Sequence, residues 1–515
     1  MAALGTETDE IAAMADRHPD AVAWHNLADG TDLTFKAWDD QSNGLARGLA
    51  ERGLGPGQRV VIAIDPDEPF PWLIAYTAVH RAGAVAVPVN TRLAEPELHS
   101  ILIHAEPIAV LASAEPGTGT RWSELAGDVD GIGMVASTGK APGTVDWSTL
   151  FHPDTSALPL RPGSHGSMDI MYTSGTTGAP KGVVVQHDLH DRSGGGIDWN
   201  GSGFMTSSPF STTSGALLVY GPMRAGMSGW YLPRFDAGQW ISLVELRRPL
   251  ITFLVPAMAQ LIVADPRFEG ADLSSLAAVT IGGAPVSRAT LQRLGERLPR
   301  ADILVGYGLT ECGAVSRSPA GDRGRHLGSV GLPLPGIELR IVDEDGKDAP
   351  PGQVGEIIVR GKGPPRRYYK ADTETGQTWR NGWLFSGDLG YLDDDGFLWI
   401  TGRSKDLIIR GGHNISPGEI EEVLFAHPAV VDAVVAGIPH DVLGEDVGAW
   451  VVLREGSDMS PDDLRAHLRG RLADYKVPRQ VRLVQQLPRN AAGKVIKREL
   501  EATLATEGPS AERSR

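Results

Sequence analysis

The chain has 515 residues, length for about three domains at roughly 150 residues each, and it sets 48 Lys plus Arg against 64 Asp plus Glu for a formal net charge of −16. That acidic balance disfavours a protein that coats nucleic acid or anionic membrane, because both partners need basic surface. The single cysteine, Cys312, excludes an intrachain disulfide framework and any Cys-rich zinc or iron–sulfur site.

The first ten residues carry acid where a secretory signal needs a basic and then an apolar region, so the expected location is the cytoplasm. Thr34 is placed to cap a helix in which Phe35, Trp38, Leu45 and Leu49 recur at helical spacing up to Gly53. Residues 59–65 (RVVIAID) read as a buried strand, 71–81 as a helix and 84–89 (AVAVPV) as the next strand, which makes a βαβ unit. The apolar window 72–89 is broken by His80, Arg81 and Pro88, so it reads as that buried helix and strand, with no insertion into a membrane. Residues 115–160 are rich in Gly, Ser, Thr and Pro and poor in apolar periodicity, and are expected to form a surface excursion.

Alternation resumes with a strand at 251–255, a helix at 257–264, a strand at 278–281, a helix at 286–298 and a strand at 303–305. Runs 337–343 and 354–360 alternate at period two about a polar turn, as antiparallel strands do. The last part reads as a small α+β unit with strands at 407–410, 431–436 and 449–453. A capping box with proline at the first helical position is expected in it at Ser416-Pro417-Gly418-Glu419, and Ser460-Pro461-Asp462-Asp463 is expected to open another helix. The expected fold is α/β: a large N-terminal domain, 1–401, of mostly parallel helix-flanked sheets plus an antiparallel region, and a small mobile α+β domain, 402–515.

The run Thr173-Ser174-Gly175-Thr176-Thr177-Gly178-Ala179-Pro180-Lys181 combines glycines that turn backbone N–H groups toward an anion, hydroxyl donors and a cation, a composition suited to polyphosphate. It is not a Walker loop, since proline stands before the lysine. Further segments follow in order: Gly282-Gly283-Ala284-Pro285, Tyr307-Gly308-Leu309-Thr310-Glu311, Ser386-Gly387-Asp388, Arg403-Ser404-Lys405-Asp406, Gly411-Gly412 and Pro488 to Lys494. This ordered set resembles the superfamily of AMP-forming ligases that contains acyl-CoA synthetases, peptide-synthetase adenylation domains and beetle luciferases, and is nearest to the acyl-CoA synthetases.

The resemblance implies roles for these residues. ATP would be bound by Thr173 to Gly178, Lys181, the Gly283–Pro285 backbone, Tyr307 stacked on adenine with Gly308 beside it, and Asp388 and Arg403 on the ribose. Thr310 would contact the α-phosphate and Glu311 would hold magnesium. Lys494 would bridge the substrate carboxylate and the α-phosphate. Lys405 would be the hinge of the mobile domain, and Gly411 and Gly412 would line the path of CoA. Candidates for the acyl pocket are Phe210, Thr212, Thr213, Gly215, Met258, Gly282 and Cys312.

Where the acyl-CoA branch commonly has histidine, this chain has Thr212, and the hydroxyls around it either bind a polar acid or satisfy local backbone. The 210–215 run holds no carboxylate of the kind amino-acid-activating relatives place there, which disfavours amino-acid activation. The implied reaction joins a carboxylic acid to CoA with ATP and magnesium. Alternatives are an amine or a carrier-protein thiol as acceptor and, remotely, a non-catalytic nucleotide- or acyl-binding relative. A homodimer is compatible with the sequence, which itself fixes no oligomeric state.

Overall fold

A computed structural model describes residues 4–5, 7–114, 121–158, 168–173, 181–186, 190–191, 198–322, 324–361, 365–490, 493–497 and 499–500. The chain forms two compact units, one made of Met1–Phe235, Pro249–Thr252 and Arg366–Gln377, the other of Asp236–Arg248, Phe253–Pro365 and Thr378–Arg515.

In the first unit the helix Phe35–Glu51 starts as expected, with Thr34 Oγ1 accepting the Ala37 N–H at 3.1 Å. Strands Arg59–Ala63, Val85–Pro88, Ala109–Ala112 and Met134–Ser137 form a parallel sheet in which Arg59–Ala63 lies between Val85–Pro88 and Ala109–Ala112. Its edge beyond Val85–Pro88 is extended by Met168–Thr173, parallel, and then Lys181–Gln186, antiparallel. Helix Pro69–Arg81 is apolar on all sides and buried along most of its length, as a helix covered on every face must be.

The 115–160 stretch is not a surface excursion. Within its described residues, helix Trp122–Gly127 and strands Met134–Ser137 and Val145–Asp146 join this sheet region, and Trp122, Ala126, Ala136 and Leu150 are buried. Short elements of two to six residues are too brief to display periodicity.

In the second unit, Ala278–Ile281 pairs parallel with Asp302–Leu309, which runs four residues past the expected end at 305. That strand then pairs antiparallel with Gly313–Arg317. Strands Glu338–Val342, Gly355–Arg360, Trp383–Leu392 and Leu398–Arg403 form an antiparallel sheet over a core of Val315, Ile341, Ile357, Val359 and Leu398. A separate sheet holds Ile408–Arg410, His413–Ile415, Val430–His440, Gly444–Leu453 and Gln480–Leu483, covered by helices Pro417–Phe425 and Pro461–Arg469.

The capping box expected at Ser416 does not form, and one forms instead at Ser460, where only a helix start was expected. Ser460 Oγ accepts the Asp463 N–H at 3.2 Å while Asp463 Oδ2 accepts the Ser460 N–H at 3.0 Å. Ser416 makes no side-chain cap: its hydroxyl donates to the Thr401 carbonyl at 2.6 Å, and Glu419, which would complete the box, is drawn away by Lys476 Nζ at 2.7 Å.

Candidate active site

Strand Asp302–Leu309 ends in a hairpin whose loop is Thr310, Glu311 and Cys312. The Cys312 N–H donates to the Leu309 carbonyl at 3.2 Å, closing a β-turn over Thr310 and Glu311, and the chain enters the next strand at Gly313 with φ +81°. A Cβ on Gly308 would stand 2.5 Å from the Gly313 carbonyl oxygen, so the bulge between Tyr307 and Gly308 requires glycine.

Tyr307 lies within the strand and its hydroxyl donates to Asp388 Oδ2 at 2.6 Å. Asp388 stands directly opposite Arg403 on antiparallel strands, and Arg403 Nε donates to its other oxygen, Oδ1. The turn bearing Asp388 is itself anchored: the Asp388 N–H donates to Ser386 Oγ at 3.0 Å and the Gly387 N–H to Glu356 Oε1 at 2.9 Å. Burial, reinforced by the Asp388 charge, pushes the Tyr307 phenol far above its ordinary range, so it stays a donor. Burial pulls the Arg403 guanidinium down, but the charge of Asp388 and its hydrogen bond outweigh this and raise it.

Register puts the glycine segment beside this corner. Ile281 pairs with Val305, so Gly283 is level with Tyr307. Gly282 is buried, with its N–H on the Leu254 carbonyl at 3.3 Å, whereas Gly283, at φ +93°, and Pro285 are exposed and Ala284 is half-buried.

Lys494 sits on a hairpin-like loop in the same unit. Asn490 and Lys494 exchange bonds, Asn490 N–H to Lys494 O at 2.9 Å and Lys494 N–H to Asn490 Oδ1 at 3.0 Å. A Cβ on Gly493, at φ +78°, would lie 3.0 Å from Val255 Cγ2. Lys494 keeps access to solvent but is crowded by protein, and that burial holds its ammonium below the ordinary lysine range. Arg403 and Lys405 push in the same direction, while Asp388 and Glu311 oppose them. Glu311, Asp388, Arg403, Lys405 and Lys494 therefore form one electrostatic cluster. Lys405, in the one-turn helix Ser404–Asp406, is lowered by burial and by Arg403.

Gly411 and Gly412 join strands Ile408–Arg410 and His413–Ile415 with φ +57° and +86°. Two successive positive φ angles suit a two-residue hairpin turn, which accounts for both glycines without a ligand.

In the first unit, Thr173 and Lys181 face each other at the base of a hairpin, with Lys181 Nζ 5.4 Å over the Tyr368 ring. Ser174, Gly175, Thr176, Thr177 and Gly178 lie outside the described residues. Phe210 is packed in an aromatic core against Trp24, Trp72 and Tyr231, with ring centroids 5.2, 5.3 and 4.5 Å away. The Thr212 hydroxyl caps helix Thr213–Arg224: it accepts the Gly215 N–H at 3.0 Å and donates to the Pro209 carbonyl at 2.8 Å. For Thr212, local backbone is thus the partner. A Cβ on Gly215 would fall 1.9 Å from the Pro209 carbonyl oxygen, so that helix start needs glycine. In the second unit Met258 is half-buried on helix Pro256–Ala264, Gly282 packs by Phe253, and Cys312 packs with Tyr307 on the antiparallel core.

Comparison with known proteins shows the family of the chain. The AMP-binding enzyme family matches residues 11–369, and the AMP-binding enzyme C-terminal domain matches residues 419–494. The chain belongs to this family. It is 34% identical over 500 residues to a feruloyl-CoA synthase of an Amycolatopsis species, covering 92% of this chain and 94% of that one. It is 33% identical over 489 residues to the fatty acid–[acyl-carrier-protein] ligase ScoC of Streptomyces coeruleorubidus, covering 92% of each. Among solved structures, the amide bond synthetase McbA from Marinactinospora thermotolerans superposes with a TM-score of 0.81 at 28% identity, over 97% of this chain and 100% of that one.

Within this AMP-binding enzyme, two residues at the site had no role in the sequence reading. Glu356 and Ser386 fix the turn that presents Asp388. The signal for Glu356 was a carboxylate inside an apolar strand run, a residue type depleted in strands and costly there unless paired.

Proposed function

We propose that this chain is an ATP-dependent carboxylate–CoA ligase. It joins a carboxylic acid to AMP with release of pyrophosphate and then transfers the acyl group to the CoA thiol. The observation that supports this most is the gathering of Glu311, Asp388, Arg403, Lys405 and Lys494 around one corner of a member of this family. Bringing a carboxylate against a triphosphate is opposed by like charge, and fixed cations in a water-poor site offset that repulsion best.

In this reading Asp388 accepts both ribose hydroxyls, and Tyr307 and Arg403, already bound to its two oxygens, hold its orientation. Tyr307 lays its ring against adenine beside the exposed backbone of Gly283 to Pro285, and Thr173 to Gly178 with Lys181 hold the phosphates. The Lys494 ammonium meets the carboxylate and the α-phosphate and stabilises the charge that develops as the new P–O bond forms. Magnesium fits the Thr310-Glu311 loop, which offers one carboxylate and one hydroxyl, because this ion takes few protein ligands and fills its shell with phosphates and water. Glu311 would hold it, and the bound ion would offset phosphate charge. Residues 1–401 and 402–515 act as two domains with Lys405 as hinge, since Ser404–Asp406 links strand Leu398–Arg403 to Ile408–Arg410, a strand of a different sheet.

A second reading keeps the adenylation and changes the acceptor to an amine or a carrier-protein thiol. Thr212, occupied by a helix cap where CoA ligases commonly have histidine, favours it, as does likeness to McbA and ScoC. Incubation with magnesium-ATP, CoA and pooled aliphatic, aromatic and alicyclic acids, read by mass spectrometry, tests the proposal. Acyl-CoA with AMP is the expected result. Acyl adenylate and AMP without acyl-CoA would favour the second reading, and nucleotide binding without AMP would contradict both.

A further inference from the structure

The loop that carries Lys494 is tied down on both sides. Leu487 before it and Val495 after it join a buried cluster with Val434, Ala436 and Ile438 on strand Val430–His440 and Trp450 on strand Gly444–Leu453. The Ile496 N–H donates to the Pro488 carbonyl at 2.9 Å, which with the Asn490–Lys494 exchange makes a short antiparallel ladder. One side chain joins this ladder to the strand. Arg489 Nη1 donates to the Gly493 carbonyl at 2.5 Å, one residue before Lys494, and its Nη2 donates to Asp432 Oδ2 at 2.5 Å. Both partners are mostly shielded, at 24% and 17% exposure. Asp432 is oriented in turn by the Ala433 N–H on Oδ1 at 3.0 Å.

We infer that Arg489 and Asp432 form a clamp that sets the reach of the Lys494 ammonium, so that both are positioning residues for adenylation. A planar guanidinium can satisfy a carboxylate and a carbonyl at once, whereas lysine cannot in the same geometry. The inference rests on the reading of Lys494 as the adenylation lysine. The charges that act most on Lys494 are Arg403, Asp388, Glu311 and Lys405. Asp432 is not among them.

The experiment uses the full chain as wild type, Lys494→Ala, Asp432→Asn and Arg489→Lys, with two readouts. The first is the rate of acyl-adenylate formation beside the rate of transfer from synthetic acyl adenylate. Both clamp variants should lower kcat for adenylation on the order of 10- to 100-fold, the scale of a misplacement near 1 Å, with little change in KM for ATP and with transfer retained. The second is the pH dependence of Lys494 acetylation by acetic anhydride, read peptide by peptide. In the clamp variants the Lys494 profile should move up toward that of an ordinary lysine. Wild-type adenylation rates, an equal loss of both half-reactions, or an unmoved acetylation profile would overturn the clamp. If Lys494→Ala adenylates like wild type, it is the reading of Lys494 that fails, and the acetylation profile alone then judges the clamp. Should Asp432→Asn fail to fold, Arg489→Lys, which keeps the charge and loses the fork, carries the same predictions.

Discussion

Asp388 is held from two directions, by a phenol that burial keeps protonated and by a guanidinium opposite it on the neighbouring strand. Tyr307 thus has two tasks in the proposed reaction: its ring faces adenine and its hydroxyl orients the carboxylate that takes the ribose. Tyr307→Phe keeps the first and removes the second. Loss of a hydrogen bond to a buried charge costs about 1.5 kcal/mol, roughly tenfold, so KM for ATP should rise by about that factor with the fold intact, as steady-state kinetics would show. Lys494 gives a pH signature. Burial, with Arg403 and Lys405, lowers its ammonium, so the proton is lost, and with it the adenylation rate, at a pH below the roughly 10.4 of a free lysine. The alkaline limb of kcat/KM should fall in that range for wild type and move up in Lys494→Arg, whose guanidinium keeps its proton. An unmoved limb would mean that another group sets it.

At the scale of elements, the same four-residue pattern had two outcomes. Ser460 and Asp463 cap helix Pro461–Arg469 reciprocally, whereas Ser416 reaches Thr401 and Glu419 reaches Lys476. Both alternatives depend on partners distant in the chain, and local pattern cannot display these. Ser460→Ala should therefore cost about 1 kcal/mol of stability. Glu419→Gln, which breaks only a partly exposed ion pair, should cost less than about 1 kcal/mol. Denaturant unfolding measures both. Elements with clear periodicity or caps were legible: the Thr34 cap, the βαβ unit, and the strand pair Glu338–Val342 and Gly355–Arg360 appear close to where the residues placed them. The 115–160 segment was misread because its elements are short. The strand carrying Tyr307 ran past Val305 because two glycines, poor strand formers, hid its continuation across a bulge.

On the scale of the whole molecule, the order of short motifs was legible because each falls in a loop or strand end whose chemistry shows in its residue types. How the corner closes was not. Asp388 meets Tyr307 across 81 positions, and Arg489 meets Asp432 across 57, and no spacing rule announces either pair. In the proposed reaction a protein of net charge −16 must draw in anionic ATP and a carboxylate, and the cations proposed to do so locally are Arg403, Lys405 and Lys494, set against Glu311 and Asp388. No helix among the described residues is long and apolar enough to cross a membrane.

In the proposed reaction this corner makes an acyl adenylate with Lys494. The most direct test is acid-dependent exchange of labelled pyrophosphate into ATP, run with wild type and Lys494→Ala across the acid panel. Wild type should exchange with at least one acid, and exchange should fall on the order of 100- to 1,000-fold in the variant, the scale of removing one electrostatic stabiliser of the transition state. Equal exchange by the two proteins would contradict that role of Lys494.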